Sequence, residues 1–149
     1  MKITHLKITS DLKKMSDNSN VAHAAGIVFQ KYMELYDEVE VVSLATTDGF
    51  PVQNQSRESI SFDIDTMAAA SSTLYSVSNA VSKQILSKHF KITFIEAEQG
   101  NIAFVSLSFD ARDFVLAMSA TESMNIGKVR VLINRLAEDI RQQIQAEQA

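Results

Sequence analysis

The chain contains no cysteine and no tryptophan, and only one proline and four glycines in 149 residues. Without cysteine there are no disulfides, no thiolate metal sites and no thiol nucleophile, which fits a reducing compartment such as the cytoplasm. So few glycines and prolines point to long regular elements joined by short turns. No stretch approaches the roughly 18 consecutive apolar residues of a membrane-spanning helix. The first residues, Met1 to Ser10, lack the apolar run of a signal peptide. A basic surplus is missing as well. The net charge is −4, whereas a dedicated nucleic-acid binder needs a basic stripe to neutralise phosphates. What remains is a cytoplasmic globular protein with no membrane span, no nucleic-acid partner and enough chain for one core.

The motifs of common chemistry are missing too. There is no G-x-x-x-x-G-K-[ST] loop, no G-x-G-x-x-G, no G-x-S-x-G and no H-E-x-x-H. His5, His23 and His89 are far apart and have no ligand spacing. Asp48 belongs to a hairpin, Asp63 and Asp65 to a helix start, and Asp110 and Asp113 to a turn. None of these carboxylates needs a catalytic partner to explain it. Met67 and Met118 read as core fillers. No catalytic residue, cofactor or metal ligand is assigned, and the expectation is a protein that is not an enzyme.

The pattern that is present is regular. Residues 1–16 form a weakly patterned, lysine-bearing arm, and residues 17–149 form one domain. Asp17-Asn18-Ser19-Asn20 is rich in helix-capping residues. Val21, Ala24, Val28, Tyr32 and Leu35 then recur at helical spacing, which predicts a helix from about Asn20 to about Asp37. Glu34, Asp37 and Glu38 oppose the dipole at its end. Val39 to Thr46 reads as a central strand, and Asp48-Gly49 as a tight hairpin into a second strand, Val52 to Ser56. A second helix follows from about Thr66 to Lys88, with Met67, Ala70, Leu74, Val77, Val81 and Ile85 as its apolar stripe. Three strands come next in meander order: Phe90 to Ala97, Ile102 to Phe109 and Phe114 to Ala120. A final helix starts after Asn125, with Ile126, Val129, Ile133, Leu136, Ile140 and Ile144 on one face, and frays after about Gln145.

The order α-β-β-α-β-β-β-α implies an α/β (α+β) three-layer sandwich. A five-stranded, mostly antiparallel sheet carries the middle helix on one face and the first and last helices on the other. The middle helix has unusually small flanks. Ala68, Ser71, Ser72, Tyr75, Ser78, Asn79 and Ser82 offer a smooth face without long charged side chains, which suits close approach by a partner. If the third strand lies at the sheet edge, its open main chain and its Phe90, Ile92 and Phe94 suit pairing with a second copy.

Three segments resemble the roadblock/dynein light-chain superfamily. Val41 to Val52 (VVSLATTDGFPV) is similar to the family's first hairpin. Met67 to Leu74 (MAAASSTL) is similar to its alanine-rich second helix. Asn125 to Ile140 (NIGKVRVLINRLAEDI) is similar to its last helix, with Gly127 and Arg130 at familiar spacing. The likeness runs from about Val21 to Ile144 and implies a roadblock/profilin-like fold. It implies a homodimer built through second helices and third strands. It also implies a non-enzymatic scaffold or regulator of a Ras-like small GTPase, with stimulation of hydrolysis as one form of regulation. Arg57, Arg112 and Arg130 are not assigned as arginine fingers. The alternative reading is a small-molecule-binding sensory module of a related sheet-plus-helix fold. The arm and the polar connector Gln53 to Asp65 fall outside the family pattern.

Overall fold

A computed structural model describes the backbone from Lys2 and the side chains from Asn18 to Ala149. The elements run α1 (Lys2–Leu35), β1 (Val39–Thr46), β2 (Pro51–Ser56), α2 (Ile64–Gln84), β3 (Ile92–Ala97), β4 (Gly100–Phe109), β5 (Arg112–Thr121) and α3 (Ile126–Gln148). Their order is the one expected. The strands make one sheet in the order β2-β1-β5-β4-β3, and every neighbouring pair is antiparallel. β2 and β3 are therefore the two edges, and α2 carries the chain from one edge to the other.

Side-chain alternation divides the sheet into two faces. Val42, Leu44, Ala103, Val105, Leu107, Phe114, Leu116 and Met118 face α1 and α3. Phe29, Tyr32, Ile133, Leu136, Ile140 and Ile144 close on them to form the main core. The opposite face is much poorer. Its buried apolar cluster is Phe104, Val115 and Ala117, with Met67, Leu74, Tyr75 and Ile102 partly buried against it. Most hydrophobic stabilisation must come from the α1/α3 side, because it scales with buried apolar area.

Two expectations about helix ends change. The helix does not begin at Asn20 but passes straight through Asn18 to Asn20. Asn18 does not act as a cap there; its side-chain oxygen accepts from Arg112 Nη1 at 3.0 Å. The side chains of the expected arm, Met1 to Ser16, lie outside the described residues. At the other end of the chain, α3 continues past Gln145 to Gln148. His23 Nδ1, 2.9 Å from Glu147 Oε1, joins that last turn to α1. The two helices meet again where Tyr32 donates its hydroxyl to Asp139 Oδ2 at 2.5 Å. Burial, then this hydrogen bond, push the Tyr32 phenol well above its usual range.

Turn chemistry fixes the hairpins. Gly49 has φ 96°, a conformation that favours glycine at this turn. The β4–β5 hairpin uses Asp110 and Ala111, both left-handed at φ 53° and 61°, between paired Phe109 and Arg112. This is the geometry of a type I′ turn. Alanine is strained in that region. Ala111→Gly should therefore raise unfolding stability by about 0.5–1 kcal/mol, read from urea unfolding; no gain would show that the strain is relieved locally.

Candidate functional site

α2 is the one helix without a deep seat. Asp63 caps it, accepting from Asp65 N and Thr66 N. Ser87 ends it with φ 55°, and Lys88 N–H turns back to Ser82 O at 3.1 Å. Only Ala68 and Ser71 are fully buried along its 21 residues. The sheet beneath explains why. It offers Ser43 and Ala45 from β1 and Ala117 from β5, all buried and small. The α2 residues that become fully buried are accordingly small, Ala68 and Ser71.

This seating corrects the reading of which face is free. Ala68 and Ser71, expected at a partner interface, are each 1% exposed and face the chain's own sheet. Ser72 donates its hydroxyl to Thr47 O at 2.5 Å and pins the first hairpin to α2. Tyr75 packs edge-on to Phe90 with ring centroids 5.9 Å apart. Burial, with Asp113 nearby, raises its phenol pKa. Ser78 shares a 2.7 Å hydrogen bond with Thr93. Asn79 and Ser82 are half-buried on the flank. Met67 and Leu74 of the expected apolar stripe turn inward. Ala70, Val77, Val81 and Ile85 turn outward instead.

The outward face is thus Ala69, Ala70, Thr73, Ser76, Val77, Ala80 and Val81, all exposed. Val77 is 56% exposed and Val81 45%. No residue from 66 to 82 carries a charge. Acids stand at one end (Glu58, Asp63, Asp65) and bases at the other (Lys83, Lys88, Lys91). Asp65 and Lys83 each suit the helix dipole at their own end, but the bare stretch between them is unusual for a solvated surface.

β3 does lie at the sheet edge, so its outer main chain pairs with no other strand among the described residues. Ile92 and Phe94 pack on the α1/α3 core while sitting on that edge. Phe90 is not part of the strand, which starts at Ile92; its ring is committed to Tyr75. Among the described residues nothing covers the charge-free face of α2 or the open edge of β3.

Arg57 holds a structural position that no local sequence pattern announces. In the polar connector its guanidinium collects carbonyls from the end of α1 to the start of β1: Nη2 donates to Met33 O and Tyr36 O, both at 2.6 Å, and Nε to Val39 O at 2.9 Å. The signal was the uncompensated acidic end of α1, whose last turn holds no basic residue. A cation had to come from elsewhere in the chain.

A shallow cavity of about 290 Å³ lies between α1 and α3, lined by Ile27, Val28, Lys31, Asp139, Gln142, Gln143 and Ala146. It is at the small end of ligand sites. Among the described residues no group of three or more His, Asp or Glu could hold a metal ion, and no helix is long and apolar enough to cross a membrane.

This architecture is the roadblock/dynein light-chain fold. Among solved structures, the gliding protein MglB from Thermus thermophilus superposes with a TM-score of 0.70 at 16% identity, covering 85% of this chain and 92% of that one. A structure described as MglB with tetrameric arrangement gives 0.70 at 16% identity, over 85% and 91%. A roadblock/LC7 domain from Streptomyces avermitilis gives 0.53 at 15% identity, over 73% and 82%. No family model and no curated protein matches the sequence.

Proposed function

We propose that the protein is a non-enzymatic, homodimeric, cytoplasmic platform that binds and regulates a Ras-like small GTPase, with acceleration of hydrolysis as one form that regulation takes. The observation that carries this reading is the exposed, charge-free outer face of α2 beside an open sheet edge. A face of small side chains lets a second backbone approach closely, and a face with no charge loses little when desolvated. Its ends also select the partner's direction. Antiparallel apposition of two α2 helices puts each acidic end against a basic end, whereas parallel apposition sets like against like. The fold it shares with the gliding protein MglB and with a roadblock/LC7 domain supports this assignment, and a tetrameric arrangement is described for one such structure.

A joined α2 pair would present a broad and nearly uncharged platform on one side of a continuous sheet. A partner with two conformations can be regulated there only if it binds differently in each. The test is titration of the purified protein with purified Ras-like GTPases loaded with GDP or with a non-hydrolysable GTP analogue. A clear preference for one nucleotide state is expected. Equal or negligible binding in both states, across the candidate GTPases, would sink the regulatory reading.

A further inference from the structure

The free sheet edge carries a charge arrangement that a second copy completes. Ile92 and Phe94 of β3 pack toward α1 and α3, so alternation puts Glu96 on that same face. Thr93 and Ile95 lie on the α2 face, where Ile95 pairs with Ile102 and remains 40% exposed. Arg130, near the start of α3, holds its guanidinium 5.1 Å from the centroid of the Phe94 ring. Arg130 and Glu96 are both exposed. The ion pairs among the described residues are His23–Glu147 and Arg141–Glu138, and neither Arg130 nor Glu96 takes part.

We propose that, in the third-strand pairing of the two-copy reading, Ile95 faces its own twin and Arg130 of each copy clamps Glu96 of the other across the Phe94 ring. This rests on the two-copy reading above and adds to it a register and a specific pair of side chains.

The register follows from symmetry and from the side chains available. Directly opposite residues of an antiparallel pair point to the same side of the sheet. A two-fold axis between two copies of one strand therefore makes one residue face itself. The middle of β3 leaves Phe94 or Ile95. With Phe94 self-paired, Ile92 faces Glu96 of the second copy, a carboxylate set against an apolar side chain. Two Arg130 cations would also gather around one pair of rings. With Ile95 self-paired, Ile95 meets Ile95 and its exposed surface leaves water. Thr93 meets Ala97, and Phe94 meets Glu96. That last pair brings the carboxylate beside a ring that already carries a guanidinium. The cation then has the ring face on one side and a counter-charge on the other.

The chain has no cysteine, so introduced thiols report without interference. Directly opposite Cα atoms lie about 4.5–5.5 Å apart, within disulfide reach. Under mild oxidation Ile95→Cys should cross-link into a covalent dimer. Thr93→Cys and Ala97→Cys should each fail alone, yet cross-link when mixed. Dominant cross-linking at Phe94→Cys overturns the register while leaving the dimer standing. A chain that is monomeric by light scattering overturns both. The clamp has its own test. Glu96→Arg and Arg130→Glu should each weaken their homodimers roughly tenfold, since two rim ion pairs are replaced by two repulsions. An equimolar mixture should restore affinity, because in the heterodimer every arginine meets a glutamate across the seam. Failure of the mixture to recover overturns the clamp, since a pair within one chain would not respond to mixing.

Discussion

Replacing Arg57 with alanine lowers the unfolding stability of the domain by about 2–4 kcal/mol. The reason lies in the end of α1. A helix leaves its last four carbonyls without intrahelical donors, and α1 has no basic residue in its final turn. Glu34, Asp37 and Glu38 add negative charge where the dipole is already negative. Arg57 answers both problems at once, with one guanidinium on the carbonyls of Met33, Tyr36 and Val39. Its own N–H donates to Glu40 O at 3.0 Å and holds the end of β2 against the start of β1. Alanine removes the cation and takes one donor from each of three part-buried acceptors, of which Tyr36 O still accepts from Val39 N–H at 3.2 Å. Arg57→Lys should recover only part of the loss, because an ammonium cannot reproduce the planar fork. Urea unfolding of the three proteins checks this. The midpoint should fall with little change in slope. Wild-type stability in Arg57→Ala would mean that water serves the helix end as well as the guanidinium does.

Arginine at Val77 or Ala80 weakens self-association by at least ~100-fold while leaving the fold intact. Both side chains are exposed in the single chain, and surface substitutions of that kind usually shift stability by less than about 0.5 kcal/mol. Within a joined α2 pair the same charge would be stripped of water without a counter-ion, which is costly. It would also lie close to its own symmetry mate. Ser72 and Tyr75 are poorer places to make this test. They hold the first hairpin and the Phe90 loop to α2, so arginine there would disturb the fold as well. Sedimentation of Val77→Arg alongside a thermal melt separates the two effects. Undiminished association would show that α2 docks through some other surface.

The order of elements along the chain and the helix count were legible in the sequence because their signals are local; the order of strands within the sheet, which puts β3 at an edge, was not. Asp48-Gly49 announces a hairpin, Asp63 and Asn125 announce helix starts, and alternating residues in β3 to β5 announce strands. The fold class follows from that order. The face of α2 was not legible. Periodicity says which residues share a stripe but not which stripe meets the sheet. α2 has two stripes, one with Val77 and Val81 and one with Ala68 and Ser71. The choice is made by the sheet beneath, with Ala68 and Ser71 fully buried over a floor that includes Ser43, Ala45 and Ala117 and Met67, Leu74 and Tyr75 partly buried against Phe104, Val115 and Ala117. Even so the seat is imperfect, since Ser71 Oγ is buried without a hydrogen-bond partner. Asn18 misled for a related reason. A capping residue looks the same in sequence whether it meets a helix N-terminus or, as here, an arginine from a distant hairpin. Arg57 was hidden because its three partners are 18 to 24 residues away in the chain.

The most direct measurement is the solution mass of the unmodified chain by light scattering across a dilution series, in moderate and in high salt. Two chains of 16.5 kDa should travel together and separate more readily as salt screens the charged helix ends. A mass of one chain at every concentration would mean that the bare α2 surface has no twin to meet, and the platform would have no basis.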